Sequence, residues 1–204
     1  PEAAAHETRC NELNVVVRSP NSRDALIACE GARDALVFLE SSGLNVTGHV
    51  AIELSIRMPS GVSGSAAGCY LEPEHVVCAL TYAEFKAWGT WFGVPVDRSL
   101  YRSVVSHEVA HRVADVNFAI SKPSIQAKEY IAYVTQFSAM APVLREQILS
   151  QFEAEAFKGD WQITTTIYML DCMRFGVRAY LHFRELPDGK EYLRAILTGR
   201  VLTD

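Results

Sequence analysis

Between His49 and Met58 the chain reads HVAIELSIRM, with Val50, Ile52, Leu54 and Ile56 on every second position. A period of two puts those four side chains on one face of an extended strand. LNVVVRS, Leu13–Ser19, reads as a second strand from its β-branched run. Between the two strands the period changes. After a break at Pro20-Asn21-Ser22, Leu26, Cys29, Ala32, Leu36 and Leu39 recur at steps of three and four. That spacing predicts a helix from Arg23 to about Glu40, ended by Ser41-Ser42-Gly43. PSGVSGSAAG, Pro59–Gly68, has the glycine and serine content of a loop.

GCYLEPEHVVC, Gly68–Cys78, then predicts a hairpin. A two-residue turn at Pro73-Glu74 sets Glu72 opposite His75, Leu71 opposite Val76, Tyr70 opposite Val77 and Cys69 opposite Cys78. Opposed cysteines on paired strands approach disulfide distance, so a Cys69–Cys78 bridge is expected. Cys10 and Cys29 are candidates for a second bridge, tying the N-terminal segment to the first helix. Cys172, in the apolar stretch IYMLDCMRF, is left as a buried free thiol.

Further along, Ala83–Trp88 reads as a short helix and GTWFGVP, Gly89–Pro95, as a loop. Asp97 is placed to N-cap a long helix running to about Val116. The pattern after Ser124 is helical throughout: Ser124–Met140, Pro142–Phe157, Ile163–Phe183 and Gly189–Leu197. Strands therefore come first and helices after, an α+β order within one domain. A mixed sheet lobe carrying one helix is expected over about 1–96, a central helix over about 97–118 and a helical lobe over about 119–204.

Composition narrows the functional classes. Hydrophobic content of 49% with 21% charged residues fits a folded soluble domain, and 204 residues suffice to bury a core. The net charge is -5 and the 19 Lys and Arg residues form no run or stripe, which argues against nucleic acid as a partner. No apolar run reaches membrane-spanning length. The opening PEAAAHETRC is polar and carries no signal peptide. Paired cysteines point to an oxidising, extracytoplasmic setting, secreted or periplasmic, and Asn45-Val46-Thr47 would be a glycosylation acceptor in a eukaryotic source.

The chemistry concentrates in SVVSHEVAHRVAD, Ser103–Asp115. On a helix, His107 and His111 lie one turn apart on the same face and can aim two imidazoles at one point. Neutral imidazole is a good zinc ligand. Glu108, turned about 100° from His107, stands close enough to take a proton from metal-activated water without being a ligand. HEVAH arises by chance in roughly a few chains per thousand of this length. Val104, Val105, Val109 and Val113 make the helix nearly buried, where an unpartnered Glu would be costly. A catalytic zinc needs a third protein ligand. Asp115 lies about 6 Å from His111 along the axis, too far to share the ion. Position 117 holds Asn117, with no glycine at 114. Glu129, in QAKEYIAYV on the helix after Lys122-Pro123, is the best remaining candidate.

HEVAH followed by Glu129-Tyr130-Ile131-Ala132-Tyr133 resembles the gluzincin zinc metallopeptidases, whose second motif is a Glu with a small residue three places on; Ala132 holds that place here. Sheet before helices also resembles that family's two lobes. The resemblance implies a zincin-like fold, Zn2+ held by His107, His111 and Glu129, and Glu108 as catalytic base. It implies hydrolysis of a peptide or protein substrate bound in a cleft along an exposed strand edge, supplied by Gly61–Tyr70 or the hairpin. Some members carry an Asp four residues past the second histidine, as Asp115 is here, either orienting a ligand or sitting solvated at the helix end. Family members usually add a downstream Tyr or His that stabilises the oxyanion, for which Tyr168, Tyr180 and His182 are the choices. The alternative reading is a binding module that keeps the zinc site without useful activity.

Overall fold

In the computed structural model, residues 5–11 and 13–203 are described. The polar opening stretch therefore lies partly outside the described residues. Five strands, β1 (His6–Arg9), β2 (Val15–Ser19), β3 (Val50–Ser55), β4 (Gly68–Leu71) and β5 (Val76–Leu80), form one mixed sheet in the order β1-β2-β3-β5-β4. The central pairs β2/β3 and β3/β5 are parallel, while β1 and β4 pair antiparallel at the two edges. The alternation read from the sequence holds: Val15, Val17, Val50, Ile52 and Leu54 are buried. Ile56 is an exception at 46% exposed, because β3 ends at Ser55, whose hydroxyl donates to the Arg57 carbonyl at 2.5 Å and turns the chain away. Strand β1 had no signal in the hydrophobic pattern, and in HETR no side chain is fully buried.

Helix α1 (Ser22–Ser41) crosses between β2 and β3, capped by the Asn21 side chain, which accepts from the Arg23 and Asp24 amides. Its buried stripe is Ala25, Ala28, Cys29, Ala32, Ala35, Leu36 and Leu39, while Leu26 is 59% exposed. The stripe is built from small residues because α3 (Arg98–Asn117) lies hard against it. A Cβ on Gly31 would come 2.5 Å from the Arg102 carbonyl oxygen, and Ser106 Oγ donates to the Gly31 carbonyl at 2.8 Å. Arg102 clamps the pair with a fork to both Asp34 oxygens and a bond to Glu30 at 2.8 Å. Asp97 caps α3 by accepting from the Leu100 amide at 2.8 Å, and Val104, Val105, Val109 and Val113 are buried, as the sequence indicated.

Between the sheet and α3 come a short helix α2 (Tyr82–Lys86) and a two-stranded ribbon, β6 (Thr90–Trp91) with β7 (Val94–Pro95). The expected loop is therefore a tight hairpin, its turn made by Phe92 and Gly93, both at positive φ. Phe92 is fully buried against Trp91 and Phe137, which offsets its unusual backbone. The chain continues as α4 (Ile125–Ala139), α5 (Pro142–Leu149), α6 (Thr165–Leu170), α7 (Cys172–Glu185) and α8 (Gly189–Leu197). Every strand precedes α3, so the fold is α+β with a mixed sheet followed by helices.

Two expected helices are shorter than their apolar patterns. The one beginning at Pro142 stops at Leu149, and residues from 150 to 159 run irregularly. The Ile163–Phe183 stretch breaks at Asp171, which sits in extended backbone and caps α7 by accepting from the Arg174 amide at 2.9 Å. Cys172 follows that break and is exposed rather than buried. Among the described residues no helix is long and apolar enough to cross a membrane.

Cys10 and Cys29, the candidates for a second bridge, form a disulfide. Cys69 and Cys78 are directly opposed in the expected register, but both are free thiols. The loop explains the difference. The strands close at Leu71/Val76, leaving a four-residue loop, Glu72–His75, with His75 at positive φ, in place of the two-residue turn. The Leu80 amide donates to the Ala67 carbonyl at 2.9 Å, so alternate pairs 67/80, 69/78 and 71/76 are of the hydrogen-bonded type. Cβ atoms in such pairs stand about 5.5 Å apart, wider than the roughly 3.5–4.5 Å a disulfide needs.

Candidate metal centre

One turn of α3 and the first half of α4 supply the site. His107 Nε2 and His111 Nε2 lie 3.2 Å apart, and the Glu129 carboxylate reaches 3.6 Å from each of them. The ligand atoms of His107, Glu108 and His111 all fall within 4.8 Å of one another. The four residues singled out in the sequence therefore meet at one place. They are largely buried, with His107 9% and Glu108 7% exposed.

These spacings can be tested against a metal. Tetrahedral zinc with bonds of about 2.0–2.2 Å holds its ligand atoms roughly 3.3–3.6 Å apart. The two imidazole nitrogens, 3.2 Å apart, match one edge of such a tetrahedron, and the Glu129 carboxylate straddles them, with Oε2 3.6 Å from His107 and Oε1 3.6 Å from His111. Two imidazoles and a carboxylate are also a donor set that zinc accepts. The residues present fit the ion.

Outside this set, Gln136 fixes the first imidazole. Its Oε1 lies 3.1 Å from His107 Nδ1, and its Nε2 donates to Ser103 Oγ at 3.2 Å. With the amide anchored that way, Oε1 is the acceptor and Nδ1 carries the proton, leaving the Nε2 lone pair turned to the site. Tyr133, one turn past Glu129, packs edge-on against the His107 ring with centroids 4.5 Å apart. Sequence reasoning missed Gln136, since a glutamine inside an apolar helix has no local signature.

Asp115 does neither of the things considered for it. Its Oδ2 accepts from the Tyr70 hydroxyl at 2.8 Å and lies 3.6 Å from His75 Nδ1, which ties the β4–β5 hairpin to the end of α3. Asn117 is likewise structural, exchanging bonds with the backbone of Asn45. Of the three residues considered for the oxyanion, Tyr168 lines the cavity over the site beside Glu129, whose charge its hydroxyl favours. Tyr180 is stacked on Phe137, and His182 Nδ1 is bonded to the Tyr130 hydroxyl at 2.8 Å, so both belong to the packing of the helices.

Burial and close charges set the protonation of the metal-free site. Burial, helped by the charge on Glu129, pushes the Glu108 carboxyl up to about 7, into the range of a proton carrier at neutral pH. Burial pulls His111 down to about 4. It acts on His107 in the same sense, but the bond to Glu129 and the charges of Glu108 and Glu129 outweigh it and raise that imidazole. Burial would raise Glu129, yet His111, His107 and the Tyr168 hydroxyl hold it below the ordinary carboxylate range. Tyr168 is itself raised, by burial first and then by Glu129, and stays a protonated donor.

A cavity of about 900 Å³ opens over these groups. Strand β4 forms one wall with Gly68, Cys69 and Tyr70, and the α6–α7 junction forms another with Met169, Leu170 and Cys172. Met169 and Leu170 are 72% and 77% exposed, so that wall is apolar and accessible.

The profile of a family of unknown function, DUF6639, matches residues 15–204. No curated protein and no solved structure matches the chain.

Proposed function

The chain belongs to the DUF6639 family, whose function is unknown, and from the site itself we propose that it is a zinc-dependent hydrolase of peptide bonds. The observation that carries the reading is the convergence of the His107 and His111 imidazoles, 3.2 Å apart, on the Glu129 carboxylate at 3.6 Å from each, with the buried acid Glu108 within 4.8 Å of both histidines. His107, His111 and Glu129 would hold the ion. When bound, zinc supplies Lewis acidity, polarising a carbonyl and lowering the pKa of water.

The chain's own groups account for the proton movements. Glu108 takes a proton from the attacking water and delivers it to the leaving amine; the C–N bond breaks and the carbonyl carbon keeps the water oxygen. Tyr168, a protonated phenol on the cavity wall, donates to the oxygen that gains negative charge. Strand β4 is an open sheet edge. Because Gly68 and Tyr70 lie in the non-hydrogen-bonded pairs with β5, their N–H and C=O groups point to that open side, where an extended peptide can pair. The Cys10–Cys29 disulfide supports a secreted or periplasmic setting.

The test is a pair of variants on metal-loaded protein with a diverse peptide library. Glu108→Gln should keep zinc and lose turnover, and His111→Ala should lose zinc. A zinc-loaded wild type that cleaves nothing would instead favour a binding module that retains the metal site.

A further inference from the structure

We propose that Gly68, the first residue of β4, is a positioning residue that sets where the carboxylate of Glu108 sits; its catalytic meaning rests on the reading of Glu108 as the base. A Cβ on Gly68 would lie 2.6 Å from Glu108 Cγ and 2.9 Å from Glu108 Oε1. Separations that short do not occur between real side chains, so one partner would have to move. The backbone at Gly68 is not left-handed. What the position requires is the absence of a side chain, not conformational freedom.

Neither backbone is free to retreat. Strand β4 is held in register by β5, and the same Cβ would also stand 3.0 Å from the Cys78 carbonyl oxygen on that neighbour. Helix α3 is wedged on its other side by α1, where the Gly31–Arg102 contact leaves no slack, and by α4. The tighter clash falls on Cγ, near the root of the Glu108 side chain, so moving the carboxylate end alone does not relieve it. The carboxylate must therefore swing about its first torsion and leave its place beside His107. Gly64, in the loop just before β4, has nothing within 4 Å of a built Cβ and no positive φ. It provides a control from the same segment.

The experiment has an arm that needs no activity. Melting temperatures are measured for the wild type, Gly68→Ala, Glu108→Ala, the double variant and Gly64→Ala. Gly68→Ala should lower Tm clearly more in the wild-type background than where Glu108 is already Ala and only the Cys78 carbonyl contact remains, and Gly64→Ala should be neutral. On zinc-loaded protein, Gly68→Ala should keep full zinc while kcat falls about a hundredfold, as expected for a catalytic group displaced by about 1 Å. An equal Tm loss in both backgrounds, or an unchanged kcat, would overturn the proposal. If Gly68→Ala does not fold alone, folding of the double variant supports the proposal and its failure to fold contradicts it. A wild type without peptidase activity would remove the reading of Glu108 as a base, and the melting cycle alone would then decide the steric claim.

Discussion

Gln136 governs the site without touching any reacting atom. Its amide is anchored on Ser103, and it holds His107 with Nε2 facing inward. Removing such a partner leaves the imidazole free to turn, and losses of about 10–100-fold in metal affinity are typical. Gln136→Ala should therefore weaken zinc binding by about that factor, while Gln136→Glu, which keeps an acceptor for Nδ1, should retain most of it; competition with a metal indicator dye checks both. Tyr168→Phe should leave zinc in place and lower kcat by roughly 10²–10³-fold, the usual loss for one oxyanion donor. Tyr180→Phe, stacked on Phe137, should leave turnover unchanged. His107, Glu108 and His111 were legible in the sequence because their spacing on one helix is local. Glu129 is the best remaining third ligand once Asp115 and position 117 are set aside, and a likeness to a known motif points to it as well. Gln136 and Gly68 were not legible, because their roles exist only once α3 packs against α4 and β4.

The elements show where hydrophobic pattern stops being informative. Ile163–Phe183 is apolar enough to read as one helix, yet Asp171 bonds the Arg174 amide and starts a new helix there, placing Met169, Leu170 and Cys172 on the cavity wall. The β4–β5 register was readable from the sequence. Its loop length was not, and two more residues in the loop changed the pair type at Cys69/Cys78, so the favoured disulfide did not form. The bridge that did form, Cys10–Cys29, spans 19 residues and pins the N-terminal segment to α1. A cross-link over a loop of that size contributes about 3 kcal/mol. Changing both residues to Ser should lower Tm by roughly 6–12 °C for a chain of this length. Zinc content should not change, since neither cysteine is among the site residues. Calorimetry with metal analysis on the same samples reads both.

For the whole molecule, the ion would link α3 to α4 across the core. A ligand that binds only the folded state adds about 4 kcal/mol when present at a thousandfold over its Kd. Stripping the protein with a chelator should accordingly lower Tm, and adding zinc back should restore it. Zinc needs both imidazoles neutral, so affinity should fall as pH is lowered through the range in which His107 and His111 take up protons, and zinc uptake should release protons to the buffer. Titration calorimetry in buffers of different ionisation enthalpy reads that release. The central claim is that three side chains from two helices grip one ion. Metal analysis of protein purified without chelator, run beside Glu129→Ala, tests it most directly. Close to one zinc per chain is expected in the wild type and a large loss in the variant; a wild type without zinc, or a variant that keeps it in full, would show that these three side chains do not hold the ion.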